Sequence, residues 1–195
     1  MVESALLFPW PAATKIMSDE ELRYELTLYP SPLLRRPCPP VEAFDADLTV
    51  ILEGMYERMH ASQGVGLAAP QVGIRKRILV ISATGKKEDQ IALINPTITD
   101  KFGETTVAEE GCLSFPDIYA EVSRPEKCTV KAFTPEGEEI ERTFEGFESR
   151  IVQHEYDHLE GVLLVDRMSG ADKQRNKAAL QDLVDHYKRA VAAKG

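Results

Sequence analysis

Cysteine is scarce, with three in 195 residues. An odd number without framework spacing excludes a disulfide scaffold and points to a reducing compartment. Basic charge is short too: 23 Lys and Arg stand against 32 Asp and Glu, a formal net charge of −9. That balance argues against direct nucleic-acid binding and against docking on an anionic membrane surface. No apolar run is long enough to span a bilayer. The stretch Ala5–Phe8 is short, preceded by Glu3 and followed by prolines. It lacks the basic start and long centre of a signal peptide, and the nearby acidic residues fit a transit peptide poorly. Internal repeats, low-complexity tracts and linkers are missing as well. What is present is an ordinary globular composition, at a length that suits one domain with a sizeable core.

Residues 1–27 read as a peripheral extension with a short acidic helical piece around Ser18 to Tyr24, and residues 28–195 as a single domain. The prolines from Pro30 to Pro40 impose an extended, ordered loop. A helix is expected from Asp45 to His60, because Leu48, Ile51, Leu52, Met55, Tyr56 and Met59 recur at helical spacing and form a core face. His60 reads as a partner of the helix dipole or a surface residue. Short strands are expected at Ile78–Ile81, Ile91–Ile94, Ile118–Val122, Cys128–Phe133 and Ile140–Phe144. Thr134-Pro135-Glu136-Gly137 makes a hairpin turn between the last two. Cys128 alternates with Val130 and Ala132 and faces the core. A final amphipathic helix runs from Ala171 to Val191, with Ser169 as its N-cap and Leu180, Val184, Tyr187 and Val191 on one face. Without regular βαβ alternation, the fold class is α+β. Antiparallel strands and small sheets should pack around a central helix, flanked by a helix in the N-terminal half and another at the C-terminus.

That central helix carries His154-Glu155-Tyr156-Asp157-His158. Ser149 is its expected N-cap and Gly161 its C-terminal stop. Positions i and i+4 share a helix face about 6 Å apart along the axis, so both imidazoles can reach one point. This is the geometry of two ligands to a divalent metal, with Glu155 adjacent as a general base. Alone, HExxH constrains three positions and fits a solvated helix face equally well.

A third ligand decides the matter. A metzincin needs HExxHxxGxxH; Gly161 is in place, but Leu164 occupies the third ligand position. A thermolysin-like site needs a downstream glutamate, yet Asp172, Asp182 and Asp185 read as solvated charges on the terminal helix. The ligand must therefore come from upstream. Cys112, in the polar run Glu109-Glu110-Gly111-Cys112-Leu113-Ser114, is the best candidate, since His₂Cys leaves the fourth tetrahedral position open. The loose match of Gly64-Val65-Gly66-Leu67-Ala68-Ala69 to GxGxxA is not a dinucleotide loop, because it follows a helix and runs into Pro70-Gln71.

Three segments together resemble the signature motifs of the peptide deformylases, in that family's order and spacing: Gly64-Val65-Gly66-Leu67-Ala68-Ala69-Pro70-Gln71, Glu110-Gly111-Cys112-Leu113-Ser114 and His154-Glu155-Tyr156-Asp157-His158-Leu159. The resemblance runs from Leu28 to Arg167. The C-terminal helix is similar to that of the class with helical ends, and Ile118-Tyr119-Ala120-Glu121-Val122 resembles plant-plastid members. It implies a metal-dependent hydrolase that takes the formyl group from the N-terminal methionine of nascent polypeptides and releases formate. The metal ligands would be Cys112, His154 and His158. Glu155 would move the proton, and Gln71 and the Leu113 N–H would meet the oxyanion. Val65, Gly66 and Gly111 would pair with an extended formyl-methionyl peptide, while Ile151, with Phe147 or Tyr119, would line the methionine pocket. Arg150 stands where bacterial relatives often carry an apolar residue. From motif position, Asp157 would pair with Arg124, and Glu110 would orient a ligand. The resemblance also implies Fe²⁺ in the cell, with Zn²⁺, Ni²⁺ or Co²⁺ able to replace it. It allows transient ribosome contact through the C-terminal helix, in the cytoplasm or, as the alternative, in a plastid. Two competing readings are a protease cutting internal peptide bonds and a non-catalytic ribosome-associated factor.

Overall fold

The computed structural model describes residues 22–193. The helical piece expected around Ser18–Tyr24 lies largely outside them, and Leu22–Tyr24 are irregular. Helix α1 covers Ala46–Ala61, and Asp45 caps it by accepting from the Leu48 N–H at 3.2 Å. Five strands follow: β1 Gly66–Ala68, β2 Ile78–Ile81, β3 Ile91–Cys112, β4 Phe115–Phe133 and β5 Glu139–Glu145. The remaining α-helices are α2 Gly146–Leu159, the short α3 Leu164–Arg167, α4 Gly170–Arg175 and α5 Lys177–Ala192, and single 3-10 turns occur at Pro32–Arg35, where the proline loop was expected to be extended, and at Ala69–Val72 and Lys87–Asp89. This is the α+β class expected.

The strands are longer and more unified than expected. They form one antiparallel sheet in the order β1-β2-β3-β4-β5 instead of several small sheets. The runs Ile118–Val122 and Cys128–Phe133 are parts of the single strand β4, which pairs with the equally long β3. Register shifts near Ile94/Thr97, Ile98/Asp100 and Phe102/Thr105 let this ribbon absorb Pro96 and Gly103, since each shift re-aims a strand without ending it. The Thr134–Gly137 turn is as expected, with Gly137 at φ 86°.

The sheet separates two apolar clusters. Strand β2 is buried on both faces: Leu79 and Ile81 point to one side, Ile78 and Val80 to the other. On the second side Leu48, Leu52, Met55 and Met59 of α1 pack down, as their spacing dictates. On the first side Ile151, Val152 and Leu159 of α2 meet Cys128, Val130 and Phe144. Each such fully buried aliphatic or aromatic side chain contributes about 1.5–3 kcal/mol. The central helix is therefore fixed by its own apolar stripe. A third cluster joins Leu34, Phe115 and Ile118 to Leu163, Leu164 and Met168.

Two helix ends differ from expectation. Ser149 is not the N-cap of α2; the helix begins at Gly146, and Glu145 precedes it without a side-chain cap. Strand β5 runs straight into the helix through Gly146 at φ 55°, a left-handed turn that glycine adopts freely. Ser149 is buried one turn in, where its Oγ accepts from Gln153 Nε2 at 3.0 Å. The C-terminal helix is broken in two at Asn176, whose Nδ2 donates to the Tyr119 carbonyl at 2.9 Å. Ser169 does cap the first half, accepting from the Asp172 N–H. Asp172 itself is buried against Ser169 and Arg175, not solvated.

Gly161 stops α2 as expected. Its N–H donates to His158 O and that of Val162 to Asp157 O, with Gly161 at φ 74°, the Schellman arrangement. The described part of the expected N-terminal extension is held to the domain. The Tyr24 carbonyl accepts from Arg58 Nε at 2.6 Å, and the Thr27 N–H donates to Gln71 O at 2.7 Å. Tyr24 also fills the space over Gly54, where a Cβ would come within 2.5 Å of its ring.

Candidate active site

Helix α2 presents His154 and His158 one turn apart, their ring centroids separated by 5.3 Å. Cys112 arrives from the end of β3, where the two-residue turn Leu113-Ser114 leads into β4. Its Sγ lies 3.3 Å from His158 Nε2. One ligand atom from each of the three residues lies within 4.8 Å of the others. Two imidazoles and a thiol at this separation fit a single divalent ion with one position left open. Leu164, at the third-ligand position of the protease motif, is buried in the third apolar cluster. His60 is elsewhere, with its Nε2 2.7 Å from Gln90 Nε2.

The candidate ligands are braced from behind. His154 Nδ1 meets Glu110 Oε2 at 2.9 Å, which turns the other ring nitrogen toward the thiol. Glu110 is itself gripped by Arg124, Nε to Oε1 at 2.7 Å and one amino nitrogen to Oε2 at 2.9 Å. Arg124 donates its remaining amino group to Asp157 at 3.0 Å, and Arg167 holds the other side of Asp157. The pairings of Asp157 and Glu110 are thus those expected, but they are buried rather than surface contacts. Arg150 adds a further donor to Glu110 at 2.8 Å. Neither Arg150 nor Arg167 stood out from sequence as part of this network. The signal for Arg150 was its position four residues before His154, which puts both on one face and lets both reach the same carboxylate.

Electrostatics divide the roles. Burial lowers His158 well below the usual histidine range, helped by the charges of His154 and Arg124, a direction that favours the neutral ring a metal ligand needs. Burial pulls His154 down too, but hydrogen bonds to Cys112 and Glu110 outweigh it and raise the group. Glu155 is 4% exposed. Burial lifts its carboxyl to about 7, against the lowering charges of His154 and Arg124. Its Oε2 has no hydrogen-bond partner. A buried carboxyl near neutrality with a free oxygen suits a group that takes up and returns a proton.

These groups open onto a cavity of about 600 Å³ lined by Val65, Gly66, Gln71, Gly111, Cys112 and Leu113 on one side. Ile151, His154, Glu155 and Phe147 line the other, with Tyr119 and Phe147 half-exposed at its mouth. Gln71 is buried; its Oε1 accepts from the Ala68 N–H at 2.7 Å and its Nε2 points at Cys112 Sγ, 3.6 Å away. Gly66 has to be glycine, because a Cβ there would lie 2.5 Å from Glu155 Oε1 and 2.6 Å from Ile151. All the residues expected to ligate, catalyse or bind substrate line this one cavity except His158, whose ring stands 3.3 Å from the Cys112 thiol. A buried carboxyl beside a Cys–His–His group that could hold a divalent ion, with two of its members on the HExxH helix, is the kind of centre that suits hydrolysis.

The family profile of polypeptide deformylase matches residues 23–174. The chain is 43% identical over 166 residues to the peptide deformylase of Thermotoga maritima, covering 85% of this chain and 99% of that one. It is 46% identical over 143 residues to the peptide deformylase of Acidobacterium capsulatum, covering 72% and 84%. The crystal structure of peptide deformylase from Plasmodium falciparum superposes with a TM-score of 0.83 at 38% identity, covering 85% of this chain and 98% of that one. The chain belongs to the peptide deformylase family, metal-dependent hydrolases that remove the formyl group from the N-terminal methionine of new polypeptides.

Proposed function

We propose that Cys112, His154 and His158 hold the catalytic ion, and that Glu155, Gln71 and Leu113 carry out the deformylation step around it. The observation carrying this reading is the convergence of the three ligand atoms beside a buried carboxyl with a free oxygen. A divalent ion held by these three residues would make a water more acidic, to near neutrality, and would polarise the carbonyl. Glu155 accepts the proton of the attacking water and returns it to the leaving amine, a contribution of typically ~10²–10⁴-fold. Gln71 is prealigned for the developing oxyanion, because the Ala68 N–H fixes its amide with Nε2 facing the ligands. The Leu113 N–H, from the tight turn next to Cys112, supplies a second donor; such a donor is worth about 3–4 kcal/mol.

Val65, Gly66 and Gly111 offer backbone groups to an extended formyl-methionyl peptide. β1 is the outermost strand of the sheet, and strand addition at an edge tolerates varied side chains further along the substrate. Ile151, with Phe147 near the cavity mouth, takes the methionine side chain. The donor set suits Fe²⁺ as the cellular ion, with Zn²⁺, Ni²⁺ or Co²⁺ as substitutes. We read residues 28–195 as one catalytic domain, with residues 22–27 strapped to it. Among the described residues no helix is long and apolar enough to cross a membrane. The working compartment is read as the cytoplasm, with a plastid as the alternative, and ribosome contact is assigned to the C-terminal helices.

Formate release from formyl-Met-Ala peptides in anaerobic buffer, with Fe²⁺ supplied and then chelated, tests the reading. Activity should vanish on chelation and return with the ion. Turnover that persists in fully chelated protein would overturn the ligand assignment.

A further inference from the structure

The three proposed ligands come from two separate elements, the end of β3 and the C-terminal half of α2. Something must hold those elements at a fixed separation, or the thiol and the imidazoles drift apart. Glu110, two residues before Cys112 on β3, is the bridge. Helix α2 grips its carboxylate at two points one turn apart: His154 Nδ1 on Oε2 at 2.9 Å, and an Arg150 amino nitrogen on Oε1 at 2.8 Å. The guanidinium of Arg150 goes further. It donates to the Val122 carbonyl of β4 at 2.9 Å and to the carbonyl and hydroxyl of Thr106 on β3 at 2.9 and 3.0 Å. Its side chain is 12% exposed and that of Glu110 is 5% exposed, so this is not a solvated surface pair of negligible worth. A planar fork can make all four bonds at once, whereas an ammonium cannot span them.

We propose that Arg150 is a positioning residue that sets how tightly the ion is held, by locking Glu110 and the β3–β4 ribbon against the helix that carries both histidines. It reaches the proposed ligands through Glu110, and its bonds to Val122 and Thr106 fix the guanidinium that holds that carboxylate. The inference rests on the ligand reading given above. The typical cost of losing such a supporting contact is about 10–100-fold in metal affinity or activity.

The test uses full-length protein loaded with Co²⁺, whose thiolate absorption reports the ion directly, mixed with excess chelator. Arg150→Met keeps the aliphatic stem and removes the donors; it should release Co²⁺ about 10–100-fold faster than the natural protein. At saturating Co²⁺ its KM for a formyl-Met-Ala peptide should stay within about twofold. Arg150→Lys should release at an intermediate rate, and it decides the matter if Arg150→Met does not fold. Adding Arg150→Met to Glu110→Gln should accelerate release little beyond Glu110→Gln alone, because the two act as one unit. Unchanged release in both Arg150 variants, or full additivity with Glu110→Gln, would overturn the proposal. So would a raised KM with normal release, which would make Arg150 a substrate contact. Absence of a thiolate–cobalt band in the natural protein would overturn the ligand reading and this inference together, whereas a normal band with unchanged release overturns this inference alone.

Discussion

Helices α2 and α5 are of similar length and both carry an apolar stripe, yet they relate to the rest of the molecule in opposite ways. Helix α2 is sunk into the fold so deeply that Gln153, Glu155, Asp157 and His158 are buried along with its apolar residues. Helix α5 has no buried residue, and only Ala179, Leu180 and Leu183 lean on the third cluster. Ordinary packing explains α5. It does not explain why a helix would bury five polar side chains, Ser149 among them, each of which must then be satisfied at a cost in desolvation. The difference points to α2 as the element built around the site: Glu155, Asp157 and His158 are buried beside or behind the cavity, while α5 buries nothing.

Substitutions along the two helices should separate them sharply. Glu155→Ala should retain the ion and lose about 10²–10⁴-fold in kcat, measured by formate release; near-normal turnover would remove Glu155 from the proton path. Asp157→Ala leaves Arg124 and Arg167 facing an empty site, and breaking a buried pair in this way costs about 3–5 kcal/mol. A denaturant midpoint unchanged from the natural protein would show that the pair is not held in solution. Acid should loosen the same region of the metal-free protein. Burial would raise the Glu110 carboxyl, but hydrogen bonds from His154 and Arg124 and the Arg124 charge win and hold it at about 2, below its ordinary 4.5. A lowered group contributes stability that is complete above 4.5 and is lost as pH falls through about 2. Acid titration of stability in Glu110→Gln should therefore be flatter across that window, and identical slopes would break the expectation. Smallest of all, Val191→Ala on α5, at a site 52% exposed, should change stability by no more than about 0.5 kcal/mol. A loss of several times that by thermal melting would mean α5 is anchored after all.

Much of this contrast was legible before the fold was known, because α2 announces itself through HExxH and α1 through its helical period. The long strands were not legible. Residues 99–109 of β3 are exposed on both faces, so they show no alternation, and Pro96, Gly103 and Pro125 read locally as breaks. Only pairing over the whole ribbon makes them strand. The start of α2 was misplaced because Gly146, not a capping side chain, turns the chain into the helix, and Ser149 mimics a cap while bonding within the helix. Cys112 could be picked out as the candidate third ligand by elimination, and its motif carried Glu110 and Asp157 with it as candidates. Arg167 escaped because an arginine bound to a distant carboxylate leaves no periodic trace, whereas Arg150 left one, its spacing four residues before His154, that only the shared contact with Glu110 makes meaningful.

Cys112 and His158 stand 46 positions apart along the chain, and between them run the whole of β4, β5 and most of α2. Any ion these side chains share would behave as a removable cross-link closing that loop. Occupancy would thus restrain the hairpin and the helix as a single cooperative body, and withdrawing the ion would let the two halves of the site unfold on separate terms.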